Sequence, residues 1–390
     1  MGKKCRVLLI YRAMIPSIRL VGHCQMEELA KRGYIEYRAC QEMKIKDIDL
    51  NWADIVLLGR LDSWYEYQLT KQLKTANKYL VYIMDDDLLN IPEELSSATY
   101  YAQEKTKRCI KEIVEMSDAI LSPSPILLGK YAISGRKALL IEEPAINPVS
   151  YKPREPNKMI KIGFAGSIDR TGDIELILKE ALFQIKQEFG KQVQFEFVGA
   201  IPSFADELGA RVISYCDDYD GYRKILNSLE WDIGLAPMPD TPFHACKHYN
   251  KFIEYAAAGV VGVFSEVEPY TRLRDKACEI TFSKNQPADW ISKLRFLIKD
   301  VAQLEERRKE LIQFSGLNLS VASVAEAFYS GQDWLFLYRA PSASVKISKW
   351  KLGGLKINNL MRRVKWLIEK HGIELPVIIA KKVRDKLLNR

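Results

Sequence analysis

No pair of cysteines in this sequence has the C-x-x-C spacing of zinc sites and redox motifs, and no H-E-x-x-H occurs among its 4 histidines. The 7 cysteines, Cys5, Cys24, Cys40, Cys109, Cys216, Cys246 and Cys278, are odd in number and scattered. That pattern argues against a disulfide framework and for free thiols in a reducing compartment. A G-x-S-x-G nucleophile motif is missing. Long apolar runs are missing as well, since none approaches the roughly 20 residues of a transmembrane helix. The run in MGKKCRVLLIY is about five residues, short of the roughly 7 to 15 of a signal peptide. Gly2 invites myristoylation, but the motif wants Ser or Thr where Arg6 stands. A cytoplasmic protein is therefore expected, with membrane contact only at its surface.

What is present fits a folded chain. The apolar fraction of 47% and aromatic fraction of 10% are ordinary, and there is no low-complexity tract. A length of 390 residues suggests two domains at roughly 100 to 200 residues each. The net charge of +8 is unevenly placed. Residues 340–390 carry 13 Lys and Arg against 3 acids, a local +10 that leaves about −2 for the rest. A nucleic-acid binder would spread basic charge over its fold, so no nucleic-acid partner is expected.

Short apolar runs alternate with helical patterns over the first 143 residues. CRVLLI (5–10), ADIVLLG (53–59), KYLVYIM (78–84), DAILS (118–122) and KALLIE (137–142) read as buried parallel strands. Residues 17–32, 63–77 and 98–117 read as helices. The proline-rich stretch 144–158 interrupts the pattern and is expected to be a linker. The alternation restarts with strands at 159–166, 193–199, 210–215, 231–237 and 260–265, and helices at 173–188, 219–229, 247–258 and 288–299. An α/β protein with two Rossmann-like doubly wound domains (1–143 and 159–317) facing a central cleft is expected. A crossover helix over 318–338 and a basic amphipathic extension over 339–390 would follow.

Chemistry concentrates in PDTPFHACKHYNKFIEYAAAGVVGVFSEVEPY, residues 239–270. Read as a helix from Lys247, this places Lys247, Lys251, Glu254 and Tyr255 on one stripe. Two readings compete. The charged residues form ordinary surface pairs, or the lysines and a helix amino end hold an anion such as a diphosphate while Glu254 accepts hydrogen bonds from a diol. His244, in the preceding loop, is either solvated or a partner for a sugar hydroxyl or phosphate. The triplet Asp85, Asp86 and Asp87 follows the strand at 78–84. Metal binding, proton acceptance, helix capping and a solvated turn all remain open for it.

The string K-x-x-E-Y-A-A-A-G-V-V-G-V-F-S, followed by P-Y, resembles the donor-site signature of GT-B glycosyltransferases, especially the retaining family-four type. IEEPAINPVSYKP resembles that family's interdomain crossing, and IGFAGSIDRTGDIELILKEAL its first β-loop-α unit of the nucleotide domain. The resemblance implies transfer of a sugar from a nucleotide-diphosphate donor to a hydroxyl of a glycan or lipid-linked acceptor, with retention, in cell-surface polysaccharide or glycoconjugate synthesis. It implies donor contacts from Gly166, Ser167, Arg170, Lys247, Lys251, Glu254 and Tyr255, with Glu254 on the ribose. Asp85, Asp86, Asp87 and His244 would serve the reacting sugar and acceptor, with no cofactor and no metal.

Departures from the pattern are specific. Cys246 stands where the family has the first glutamate of E-x7-E, so His244 or Lys247 would take over contact with the transferred sugar. Ser167 stands where the family has arginine, with Arg170 as the substitute. YRAMIPSIRL offers no glycine before Gly22 in place of the usual glycine-rich loop. A two-domain binding protein without catalysis, or a scaffold driven by its tail, remains an alternative. In that tail Ile357, Leu360, Met361, Val364, Leu367 and Ile368 form an apolar stripe beside Arg362, Arg363, Lys365 and Lys370. The stripe either docks on the protein or lies on an anionic membrane surface, at the inner face of the membrane.

Overall fold

The computed structural model describes residues 3–153, 155, 159–276, 278–341, 345 and 346. Two six-stranded, all-parallel sheets organise them. The first comprises β1 (Cys5–Tyr11), β2 (Ile35–Gln41), β3 (Ile55–Gly59), β4 (Tyr79–Ile83), β5 (Ala119–Ser122) and β6 (Lys137–Leu140), in the order β2-β1-β3-β4-β5-β6. The second comprises β7 (Ile160–Gly166), β8 (Val193–Gly199), β9 (Arg211–Ile213), β10 (Ile233–Ala236), β11 (Val261–Ser265) and β12 (Thr281–Ser283), in the order β12-β11-β10-β7-β8-β9. This is the expected α/β architecture of two doubly wound domains.

The inner strands are readable because helices cover both faces of a parallel sheet, so every residue of IVLLG in β3 and VGVFS in β11 is buried. The reading missed β2 and β12, and both are edge strands. IEYRACQ in β2 alternates with exposed Glu36, Arg38 and Ala39 and offers no apolar run, while β12 is only three residues long. The helix expected over 17–32 contains a π-turn, Arg19–His23, before Cys24–Lys31. Such bulges are frequent at functional positions. Arg19 on this turn reaches Asp220 of the second domain at 2.9 Å.

The order in which strands are added reverses once in each sheet, between β1 and β3 in the first and between β7 and β10 in the second. Loops leaving the carboxyl ends at such switch points splay apart and form the crevice where doubly wound domains take ligands. The helix Val321–Gly331 carries the chain back to the first domain, where Ala325, Phe328, Leu335 and Phe336 join the core of Val7, Leu9 and Leu29. The start of the expected amphipathic extension also lies on that domain. Arg339 donates to the Lys3 carbonyl, the Ala340 amide to Asp54, and buried Val345 exchanges hydrogen bonds with Asn51. Residues 347–390, with the amphipathic stripe, lie outside the described residues.

Candidate active site between the two sheets

β4 delivers the aspartate triplet to the cleft, and none of the three is a solvated turn residue. Asp85 Oδ2 accepts from Arg60 at 3.1 Å, and Arg60 stands at the end of β3 with φ of 53°, a left-handed backbone that a non-glycine residue rarely holds. Asp86 Oδ1 pairs with Lys247 of the other domain at 2.8 Å. Asp87 is buried and accepts from Lys130 at 2.5 Å, from Asn90 at 2.9 Å and from Tyr131. Burial works against a charge on Asp86, but Lys247 and Arg60 outweigh it and hold its carboxyl below the usual range. The sequence pattern missed Arg60 because its role depends on β3 and β4 being neighbours.

Lys247 is not on the helix. The helix expected over 247–258 begins only at Asn250, a separate short helix Pro242–Ala245 replaces the loop expected around His244, and Lys247 occupies the turn between the two. Freed from the stripe it crosses the cleft to Asp86, with its ammonium 4.6 Å from the Phe243 ring centroid. Cys246, beside it, packs among core residues of the first domain. Tyr255 keeps its helical spacing from Lys251 but is turned away from a ligand, being buried and donating to the Leu235 carbonyl at 2.6 Å. Lys251 and Glu254 remain together at 2.5 Å, and Tyr222 donates to the same carboxylate at 2.9 Å.

The loop after β7 brings Gly166, Ser167 and Arg170 to the same cleft. Gly199, at φ of 78°, packs so closely that a Cβ on it would lie 2.3 Å from the Gly166 carbonyl. The backbone bond from Ala200 to that carbonyl, at 3.0 Å, fixes the loop's exit. Arg170 donates to the Pro237 carbonyl at 2.8 Å and pairs with Asp173 at 3.0 Å, which ties the loop after β7 to the end of β10. Ser167 is exposed, and no hydrogen bond from its side chain occurs among the described contacts. Thr171 opens the 19-residue helix Thr171–Phe189, and its buried Oγ1 has no partner among the described residues. The Thr171 N–H is already spent on the Ile168 carbonyl, so what this helix end offers an anion is the unpaired hydroxyl and the positive end of the helix dipole.

His244 completes the group. Its Nδ1 lies 2.8 Å from Thr241 Oγ1, and burial with Arg170 and Lys247 nearby pushes its imidazole down to about 4. It is neutral at neutral pH, so it offers a hydrogen-bonding nitrogen rather than a charge.

Two further acids come from the crossing that follows β6. Glu142 accepts hydrogen bonds from His248 at 2.8 Å, Tyr249 at 2.5 Å and Lys276 at 3.1 Å. Glu143 is fully buried, and burial with Asp85, Glu142, Glu254 and Asp86 nearby pushes its carboxyl well above the ordinary range. The pattern held no sign of this, since E-E-P after a strand reads as a polar exit. Among the described residues, no three His, Cys, Asp or Glu side chains are grouped to hold a metal ion.

No protein-family model and no curated protein matches the sequence. Solved structures do match in shape. Anabaena HepE in complex with UDP and glucose superposes with a TM-score of 0.55 at 10% identity, over 84% of this chain and 99% of that one. A glycosyltransferase from Rickettsia africae gives 0.53 at 15%, over 84% and 99%. The E. coli trehalose-6-phosphate protein bound with UDP-2-fluoro glucose gives 0.53 at 11%, over 84% and 98%. With two parallel six-stranded sheets joined by a crossing helix and matched to these proteins over nearly their whole length, the chain has the GT-B fold.

Proposed function

We propose that this protein is a glycosyltransferase that moves a sugar from a nucleoside-diphosphate donor to a hydroxyl of a glycan or lipid-linked acceptor. The observation that carries the reading is the opposition of charge across the cleft. Arg170, Lys247, Lys251 and the helix end at Thr171 line the second domain, and Asp85 to Asp87 line the first. As the glycosidic bond breaks, negative charge grows on the leaving diphosphate, and fixed cations and N–H dipoles stabilise it there. Lys247 and Lys251 now hold Asp86 and Glu254, so the donor exchanges these partners for its phosphates, and Glu254 turns to the ribose diol.

The acceptor approaches from the first domain. Asp86, released by Lys247, can orient its hydroxyl or take its proton, and His244 Nε2 is available to a hydroxyl of the transferred sugar. Asp85 and Asp87 each already hold a protein cation, so the diphosphate is neutralised by side chains and helix end without a metal. UDP in the HepE structure and UDP-2-fluoro glucose in the E. coli one make uracil the first base to try. Retention of configuration, a place in cell-surface polysaccharide or glycoconjugate synthesis, and a cytoplasmic protein held at the inner membrane face by residues 347–390 complete the proposal. The basic amphipathic composition of the tail supports this location.

A thermal-shift screen of UDP, GDP and their sugars, with and without EDTA, tests the reading. Saturation at 100 times Kd adds about 2.7 kcal/mol by mass action. A rise in melting temperature unaffected by EDTA, followed by release of the nucleotide only when an acceptor or water takes the sugar, is expected. If no nucleotide shifts the melt, the donor assignment is wrong.

A further inference from the structure

A cavity of about 400 Å³ lies between the end of β6, the crossing helix Val321–Gly331 and the 3-10 helix Tyr270–Asp275. None of Asp85, Asp86, Asp87, Arg170, Lys247 or Lys251 lines it. One wall is apolar, with Pro123, Leu140, Ile141, Val324 and Phe328, and the other carries His248, Tyr249, Arg272 and Lys276 around Glu142. Asp275 is exposed at the rim.

The polar wall has more donors than its own acceptor can use. Glu142 already takes hydrogen bonds from His248 Nε2, the Tyr249 hydroxyl and Lys276. These outweigh its burial and hold its carboxyl down at about 2. Arg272 donates Nε to the Pro269 carbonyl at 3.2 Å beside an ion pair with Glu268 at 2.9 Å, and Nη2 to the Lys247 carbonyl, while its buried Nη1 has no partner among the described residues. Lys276 makes a single described hydrogen bond from an ammonium with three donors. The His248 side chain is 3% exposed, and its Nδ1 is likewise unpartnered. Because Nε2 donates to Glu142, the free Nδ1 of the neutral ring is an acceptor. Buried polar atoms left unpaired are uncommon and costly.

From this geometry we infer that the cavity binds a small hydroxylated phosphate ester of the sugar-phosphate class. The phosphate sits on Arg272 Nη1 and the Lys276 ammonium, a hydroxyl donates to His248 Nδ1, and the carbon body lies on the apolar wall. The guanidinium fork and a neighbouring ammonium suit a phosphate, and the size is in the range of small-molecule pockets. The bond from Arg272 to the Lys247 carbonyl links the occupant to the turn that pairs with Asp86, so occupancy would be felt at the interdomain ion pair.

Calorimetric titration of the full chain with ribose 5-phosphate, ribose and inorganic phosphate tests this. Ribose 5-phosphate is expected to bind one to one and more tightly than either fragment. Lys276→Ala, at a half-buried position, should weaken it at least about 10-fold, as loss of a charged hydrogen bond does. Ala327→Trp, on the exposed part of the crossing helix that lines the cavity, should abolish binding while the melting curve stays cooperative. Arg170→Ala should leave it unchanged. Absence of binding, binding that survives Ala327→Trp, or binding lost in Arg170→Ala would each overturn the inference.

Discussion

The two walls of the cleft hold their charges differently. On the first domain, Asp85 and Asp87 are matched from within that domain by Arg60 and Lys130, and Arg12 joins the fully buried Asp62 and Glu66 at 2.6 and 3.1 Å. On the second domain, Arg170, Lys247 and Lys251 ride on loops, a turn and the first turn of a helix, and Lys247 takes its partner from across the cleft. The first wall is a frame whose charges are fixed by burial. The second carries cations whose partners an incoming anion can replace. Fixed charge stabilises a fold or a transition state, and exchangeable charge binds and releases a ligand.

The comparison breaks most visibly in activity. Lys251→Ala is expected to lower transfer by about 100- to 1,000-fold, the scale on which a lost charge-stabilising donor acts, with little change in melting temperature. Turnover by that variant at the level of the unmodified enzyme would sink the assignment of the second wall. The first wall should fail the other way. Arg12→Ala leaves three buried carboxylates, Glu42, Asp62 and Glu66, without their cation, which costs about 3–5 kcal/mol in a urea melt. Arg295→Ala, which removes an exposed pair with Glu188, should change stability by no more than about 1 kcal/mol. Equal losses in the two variants would show that the frame is not held by burial.

Smaller effects come from titration. The Glu143 carboxyl is pushed up in the folded protein, so the native state binds a proton that the unfolded chain releases above its ordinary pKa. Its contribution is whole at low pH and is lost as pH rises through the raised value. Glu143→Gln removes that dependence, so the variant should gain in melting temperature over the parent as pH increases. His244 acts with the opposite slope. Its value of about 4 lies below the unfolded one, so its contribution is whole above the unfolded pKa of about 6.5 and fades as pH falls toward 4. A parent and Glu143→Gln pair whose melting temperatures run parallel from pH 5 to 9 would contradict the buried acid. Deleting residues 347–390 has the smallest expected effect on catalysis, none on turnover of a soluble acceptor, with loss of recovery on anionic vesicles.

Much of the scaffold was legible. Inner strands such as ADIVLLG and VQFEFVG declare themselves because both faces of a parallel sheet are covered. The edge strands β2 and β12 did not, since one side of each meets solvent and their sequences are mixed. At the site, Lys251 with Glu254 and Arg170 at a helix start were visible as charged residues at helical spacing or beside a strand end. Lys247 was placed on the same stripe by that spacing, but periodicity describes a continuous helix and cannot register that this one starts only at Asn250, while Tyr255 keeps its place in the helix and is buried by its neighbours in space. Arg60, Glu143 and Thr171 gave no signal, because each is distinguished by its neighbours in space.

The sequence by itself determined the alternation of strand and helix, the two-domain division, the concentration of basic charge in the tail and the charged residues available to a phosphate. Local periodicity and composition are properties of contiguous residues, so they are written in the chain. Only the tertiary structure decided that Asp86 meets Lys247, that Arg60 serves Asp85, that Glu143 is buried among acids and that Arg272 and His248 are left with unpaired atoms beside one cavity. Those outcomes depend on which strands become neighbours and on how the two domains meet across the cleft, where residues about 160 positions apart come within 2.8 Å.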